Sequence, residues 1–148
     1  MAMDTMIGAD TAAFHKRLKG TFYGMLQWND LDALWGRVRT GQWFFYQIGE
    51  TLPDQALSGD ELALRIDALD KLLRQDHDFH LCGIVYADHV EQPTLIKVYD
   101  PNNLGSMCGG STTPTPPRWI LSTEQPSLIE IDAPVPANRK RWWQLFAR

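Results

Sequence analysis

The segment His77-Asp-Phe-His80-Leu-Cys82 puts two imidazoles and a thiol within six residues. In an extended chain His80 and Cys82 project to the same side, because strand side chains alternate between faces. With His89 or Cys108 added, these groups have the atom types of a tetrahedral zinc site. The spacing matches none of the common finger patterns, however, and no second ligand pair stands nearby in sequence. The expectation is therefore a buried cysteine beside a histidine at a strand entrance, with no metal and no cofactor. Imidazole and thiol are equally the parts of a nucleophile and its base. That chemistry has to be weighed as the enzymatic alternative.

Two other stretches have the composition of binding surfaces. Residues 101–117 are seventeen in number, carry no charge, and include four prolines and three glycines. Irregular segments longer than about 12–15 residues are uncommon and tend to be functional or disordered. Asn102, Asn103, Gly105, Ser106 and Gly109 are turn formers whose free backbone amides suit an anion or a carbonyl. The tail from Arg139 to Arg148 interleaves basic groups with Trp142, Trp143, Leu145 and Phe146. Tryptophan and arginine are the side chains most enriched at interaction hot spots. Trp142 and Trp143 therefore join the binding candidates, against the plainer reading that the tail fills its own domain's core.

The run from His80 through Val85, a turn, Leu95 to Tyr99 and then Asp100-Pro-Asn102 resembles a fragment of the papain-like cysteine peptidases. The likeness spans residues 79–103. It implies a histidine opening one strand and an Asp or Asn closing the next, so that His80 is the base and Asp100 the residue that orients it. The family places its nucleophilic cysteine upstream, on a helix N-terminus, and no cysteine precedes Cys82 here. Cys108 as nucleophile would stand in an atypical order. A small hydrolase or transferase built on His80, Cys82, Asp100 and Cys108 is thus the alternative. A non-enzymatic accessory or protein-interaction domain, binding through the uncharged loop and the aromatic surface, is the leading expectation. Phosphate-binding, dinucleotide, zinc-hydrolase, nucleophile-elbow and calcium-loop signatures do not occur.

Composition sets the frame for these candidates. At 148 residues the chain is the size of one domain, and 44% apolar with 22% charged residues is ordinary globular usage. The eighteen acidic residues and ten of the fourteen basic ones precede Arg139, leaving a body of net charge −8 and a tail of +4. An acidic body repels phosphate backbones, so nucleic acid is not an expected partner. No apolar run approaches the roughly 20 residues of a membrane span. Two cysteines without CxxC spacing and no recognisable export signal point to the cytoplasm, with a protein partner or a homodimer.

Periodicity supplies the elements. Residues 1–9 read as a frayed end. Phe14, Leu18, Phe22 and Met25 or Leu26 recur at helical spacing from about Asp10, although Gly20 and Gly24 weaken the second half. Leu31, Leu34, Trp35 and Val38 form one stripe, with Asn29 or Asp30 as cap and Thr40-Gly41 as stop. The aromatic run Gln42 to Gly49 suits a strand covered on both faces. Ser58-Gly-Asp-Glu61 has capping-box form ahead of Leu62, Ile66, Leu69 and Leu73, with Asp67–Lys71 and Asp70–Arg74 as i, i+4 pairs. Phe79–Ala87 and Thr94–Tyr99 read as a hairpin, Arg118–Ser122 and Leu128–Ile131 as shorter strands. The sum is one α+β domain: N-terminal helices, then a mainly antiparallel sheet of about four to five strands with an amphipathic helix packed on it.

Overall fold

The computed structural model describes residues 13–102, 116–129 and 136–146. Residues 13–18 are helical (α1) and are followed by strand β1 (Tyr23–Gly24), helix α2 (Trp28–Val38), strand β2 (Phe44–Gln47) and helix α3 (Gly59–Asp76). Strands β3 (Val85–Ala87), β4 (Leu95–Val98) and β5 (Trp119–Ser122) and helix α4 (Ala137–Gln144) complete the order. The strands form one open antiparallel sheet in the order β1-β3-β4-β5-β2. The fold is α+β, as the segregation of helical and extended patterns implies.

The two-residue alternation of β2 explains the layering. Trp43 and Phe45 enter the main core with Val85, Ala87, Ile96, Val98, Trp119 and Leu121, on the face that α2 and α3 cover. Tyr46 and Ile48 point the other way, where Leu95, Ile120 and Phe14 of α1 form a second, smaller core. The aromatic strand is thus covered on both faces. Leu62, Ile66, Leu69 and Leu73 of α3 are buried, as are Leu31, Leu34, Trp35 and Val38 of α2. The hairpin pairs β3 with β4, with Val85 opposite Val98 and Ala87 opposite Ile96.

Several local expectations are corrected. The N-terminal helix ends by residue 18, and Met25 and Leu26 instead hydrogen-bond alongside residues 82–85 (Met25 N–H to Val85 O, 2.8 Å). Gly24 lies in β1, where a Cβ would sit 3.0 Å from the Tyr86 ring, so the residue that weakens a helix lets an aromatic ring cross an edge strand. Helix α2 is capped two or three residues before the expected Asn29 or Asp30, by Gln27, whose N–H donates to Asp30 Oδ2 at 3.0 Å. Gly41 is not left-handed; the positive-φ glycines among the described residues are Gly49, Gly59 and Gly83. Ser58 makes no capping bond, because Gly59 enters α3 with φ of +58°, away from the helical geometry a capping box needs. Asp67 pairs with Arg39 rather than Lys71, while Asp70–Arg74 forms at 3.0 Å. Residues 79–84 are not a continuous strand, since Gly83 turns with φ of +68°. Leu128 and Ile129 are not in a strand either, and 130–131 lie outside the described residues.

Candidate functional site

The Cys/His/Asp candidates are placed separately. Cys82 is a free thiol, 2% exposed, and its burial pushes the thiol pKa up, against what a nucleophile requires. Beside it, His77 Nε2 donates to the Cys82 carbonyl at 2.9 Å, and the imidazole meets the Phe79 ring edge-on. His80 is exposed. Asp100 is buried and bonded to arginine. Among the described residues no hydrogen bond joins any two of His80, Cys82 and Asp100, and no group of three His, Cys, Asp or Glu is gathered as metal ligands would be. Cys108, Asn103, Gly105, Ser106 and Gly109 lie outside the described residues; Asn102 is exposed and its N–H donates to Asp100 Oδ1 at 2.9 Å.

What Asp100 does is hold the C-terminal helix. Arg139, 3% exposed, donates Nε to Asp100 Oδ2 at 3.0 Å and Nη2 to Asp100 Oδ1 at 2.9 Å, and reaches Asp76 at the end of α3 at 2.8 Å. Two-pronged arginine–carboxylate pairs of this kind are the strong charge-assisted ones. The Arg139 carbonyl accepts from Gln47 Nε2 at 3.1 Å, and Gln47 Oε1 accepts from Trp119 Nε1 at 2.8 Å. This polar clasp ties α4 to α3 and to β2, and through Trp119 to the sheet's centre. Burial alone would push the Asp100 carboxyl up. The Arg139 bonds, the Asn102 amide and the charges of Arg139 and Arg118 outweigh that and hold it below the ordinary carboxylate range. Arg118 stands 3.6 Å from Asp100, too far for a hydrogen bond, and its buried Nε has no acceptor among the described residues.

With the clasp closed, the aromatic end of α4 lies against the sheet and α3. Trp142 meets Trp119 edge-on with ring centroids 5.7 Å apart, and Trp143 lies 5.8 Å from Phe45. Past Trp143 an open groove of about 850 Å³ runs between α4, α3 and the 51–57 loop, within the size range of ligand pockets. Its centre is Arg65 of α3. The guanidinium carbon lies 4.1 Å from the Phe146 ring centroid, 5.1 Å from that of Trp143 and 5.3 Å from that of Phe45. Rings at this range attract a cation through their negative faces, by about 0.5–2 kcal/mol depending on solvation. They cannot accept a full hydrogen bond, and Arg65 Nε is buried without a partner among the described residues. A donor left so costs about 1–3 kcal/mol. Desolvation, opposed by Glu61 one turn away, lowers the Arg65 pKa to about 10. Asp54 and Glu61 stand on the rim, and Leu64 and Leu145 are 65% and 77% exposed beside it.

Trp143 is the sequence-level candidate that lines this groove; Trp142 belongs to the core contact instead. Arg65, Arg139 and Arg118 carried no sequence signal of burial. Glu61 and Arg65, four apart on a helix, have the pattern of a solvated surface pair. Comparison with protein-family models, with curated proteins and with solved structures yields no match.

Proposed function

We propose that the chain is a non-enzymatic protein-interaction domain that holds a protein partner in the groove between α3 and α4. The observation that carries this reading is the groove itself, where Arg65, Trp143 and Phe146 converge between two exposed leucines. Aromatic and arginine anchors ringed by apolar contacts, here partly buried, are the anatomy of an interaction hot spot. The hydrolase alternative has less support, because the Cys82 thiol is buried with a raised pKa and Asp100 is committed to Arg139. Two cysteines, of which Cys82 is a buried free thiol, suit work in the reducing cytoplasm. No described helix is long and apolar enough to cross a membrane, and an acidic body suits neither nucleic acid nor an anionic lipid surface.

A photo-crosslinking amino acid placed in living cells at Leu64 or Leu145, and separately at Asp32 on α2, tests the reading. The expected result is one discrete adduct shared by positions 64 and 145 and missing from position 32. A homodimer would give an adduct of twice the chain's mass. Identical adduct patterns at all three positions, or none at 64 and 145, would overturn the groove as the partner surface.

A further inference from the structure

We infer that the groove takes a chain end: the free C-terminal carboxylate of a partner, with an apolar last residue and basic residues before it. The inference rests on the groove reading and names the chemistry of its occupant. Four observations converge on it. The cation at the centre is arginine, whose planar fork matches a carboxylate with two parallel N–H donors. Among the described residues Arg65 is the cation of that lining and its Nε has no acceptor, whereas Arg139, on α4, is matched by two carboxylates. The surroundings of Arg65 are rings, Phe45, Trp143 and Phe146, so an ion brought there leaves water and must arrive beside an apolar group that gains from the same burial.

The rim supplies the fourth. Among the described residues of the lining, Asp54 and Glu61 outnumber Arg65 and give a net charge of −1. That balance repels a polyanion such as a phosphorylated or acidic stretch. It accepts a single carboxylate only when the same ligand brings cations to the rim. A peptide terminus meets both conditions, because its one carboxylate is at the tip and its upstream side chains reach outward.

N-acetylated dipeptides with a basic residue before the last reproduce the end of such a chain. N-acetyl-lysyl-tryptophan and N-acetyl-lysyl-leucine as free acids, each beside its carboxamide, are titrated into the whole protein at millimolar concentration. The readout is the Arg65 Nε–H and Trp143 indole N–H resonances. The acids should shift both and bind at least about tenfold more tightly than the amides, the difference a lost charge-assisted pair makes. Arg65→Met should erase that preference while the Trp119 indole resonance, held by Gln47, stays in place. Arg65→Lys keeps the charge without the fork and should lower the preference severalfold, which covers the case of a poorly folded Arg65→Met. Acids and amides binding equally would overturn the carboxylate inference and leave the groove reading standing. No shift with any probe would overturn the inference, with the crosslinks at Leu64 and Leu145 deciding the groove reading separately.

Discussion

Arg139 and Arg65 both lose water when the chain folds, and the surroundings compensate them in opposite ways. Around Arg139 the compensation is complete: Asp100 takes two of its N–H groups, Asp76 a third contact, and the pKa of the guanidinium is raised because those bonds outweigh burial. Around Arg65 it is partial. Three rings attract the charge, Nε goes without an acceptor among the described residues, and the pKa falls to about 10. A buried ion that is fully matched is held by the fold and holds the fold in turn. One that is half matched gains little for stability and keeps a donor without an acceptor among the described residues. Arg139 thus fastens α4, whereas Arg65 of α3, against the rings at the end of α4, is the part we propose a partner meets.

The largest effect should follow from breaking the fastened part. Arg139→Met leaves Asp100 buried with only Arg118, 3.6 Å away, to oppose its charge. Removing one member of a buried pair costs about 3–5 kcal/mol. Urea unfolding should show that loss together with a red-shifted Trp142 and Trp143 emission as α4 comes away. A loss under about 1 kcal/mol would mean that α4 is held by its rings alone and that the contrast between the arginines is wrong.

Acid should reach the same contact more gently. Asp100 titrates below its unfolded value, so its contribution to stability is fully present above the ordinary Asp pKa of about 3.9 and is lost as pH falls through the folded value. Asp88 adds to the same window: burial pushes it up, but the Thr94 hydroxyl and the Thr94 and Leu95 amides outweigh that. Stability measured by urea at a series of pH values should therefore fall below about pH 4–5. Asp100→Asn should be less stable at neutral pH and shallower in that slope. Arg65 does not titrate there, so Arg65→Met should keep the wild-type slope. An unchanged slope in Asp100→Asn would remove Asp100 from the clasp's electrostatics.

The contrast also marks what periodicity reveals and what it leaves hidden. Leu62, Ile66, Leu69 and Leu73 announce α3 because burial repeats with the helix, and the alternation from Trp43 to Ile48 announces a strand with two cores. Those signals are local, and the α+β class follows from them. The clasp joins residues 39 apart in sequence, Asp100 and Arg139, and a charged side chain looks the same in sequence whether it is solvated or paired in the interior. The peptidase-like order of His80 and Asp100 has the same limit: nothing local reveals that the aspartate is bonded to Arg139. Gly83 is another case, since one left-handed residue ends a strand that composition alone would extend to Phe79.

The smallest effect is the one that separates the two arginines most sharply. Arg65→Met keeps an unbranched stem and gives the rings a polarizable sulfur, which makes contacts of about 0.3–1.5 kcal/mol with aromatics. It gives up the cation–π attraction, about 0.5–2 kcal/mol, and removes an orphaned N–H whose burial costs about 1–3 kcal/mol. These contributions oppose each other, so the variant should lie within about 1 kcal/mol of wild type at neutral pH, on either side. Alkaline conditions give the sign independently. The folded-state pKa of about 10 lies below the ordinary arginine value, so above pH 10 the unfolded chain binds the extra proton and the penalty on Arg65 is relieved. Wild type should therefore gain on Arg65→Met as pH rises through 10, whatever the tyrosines and lysines do in both proteins alike. A loss of 3 kcal/mol or more for Arg65→Met, near the size expected for Arg139, would make Arg65 a second fastening and leave the groove without its recognising charge.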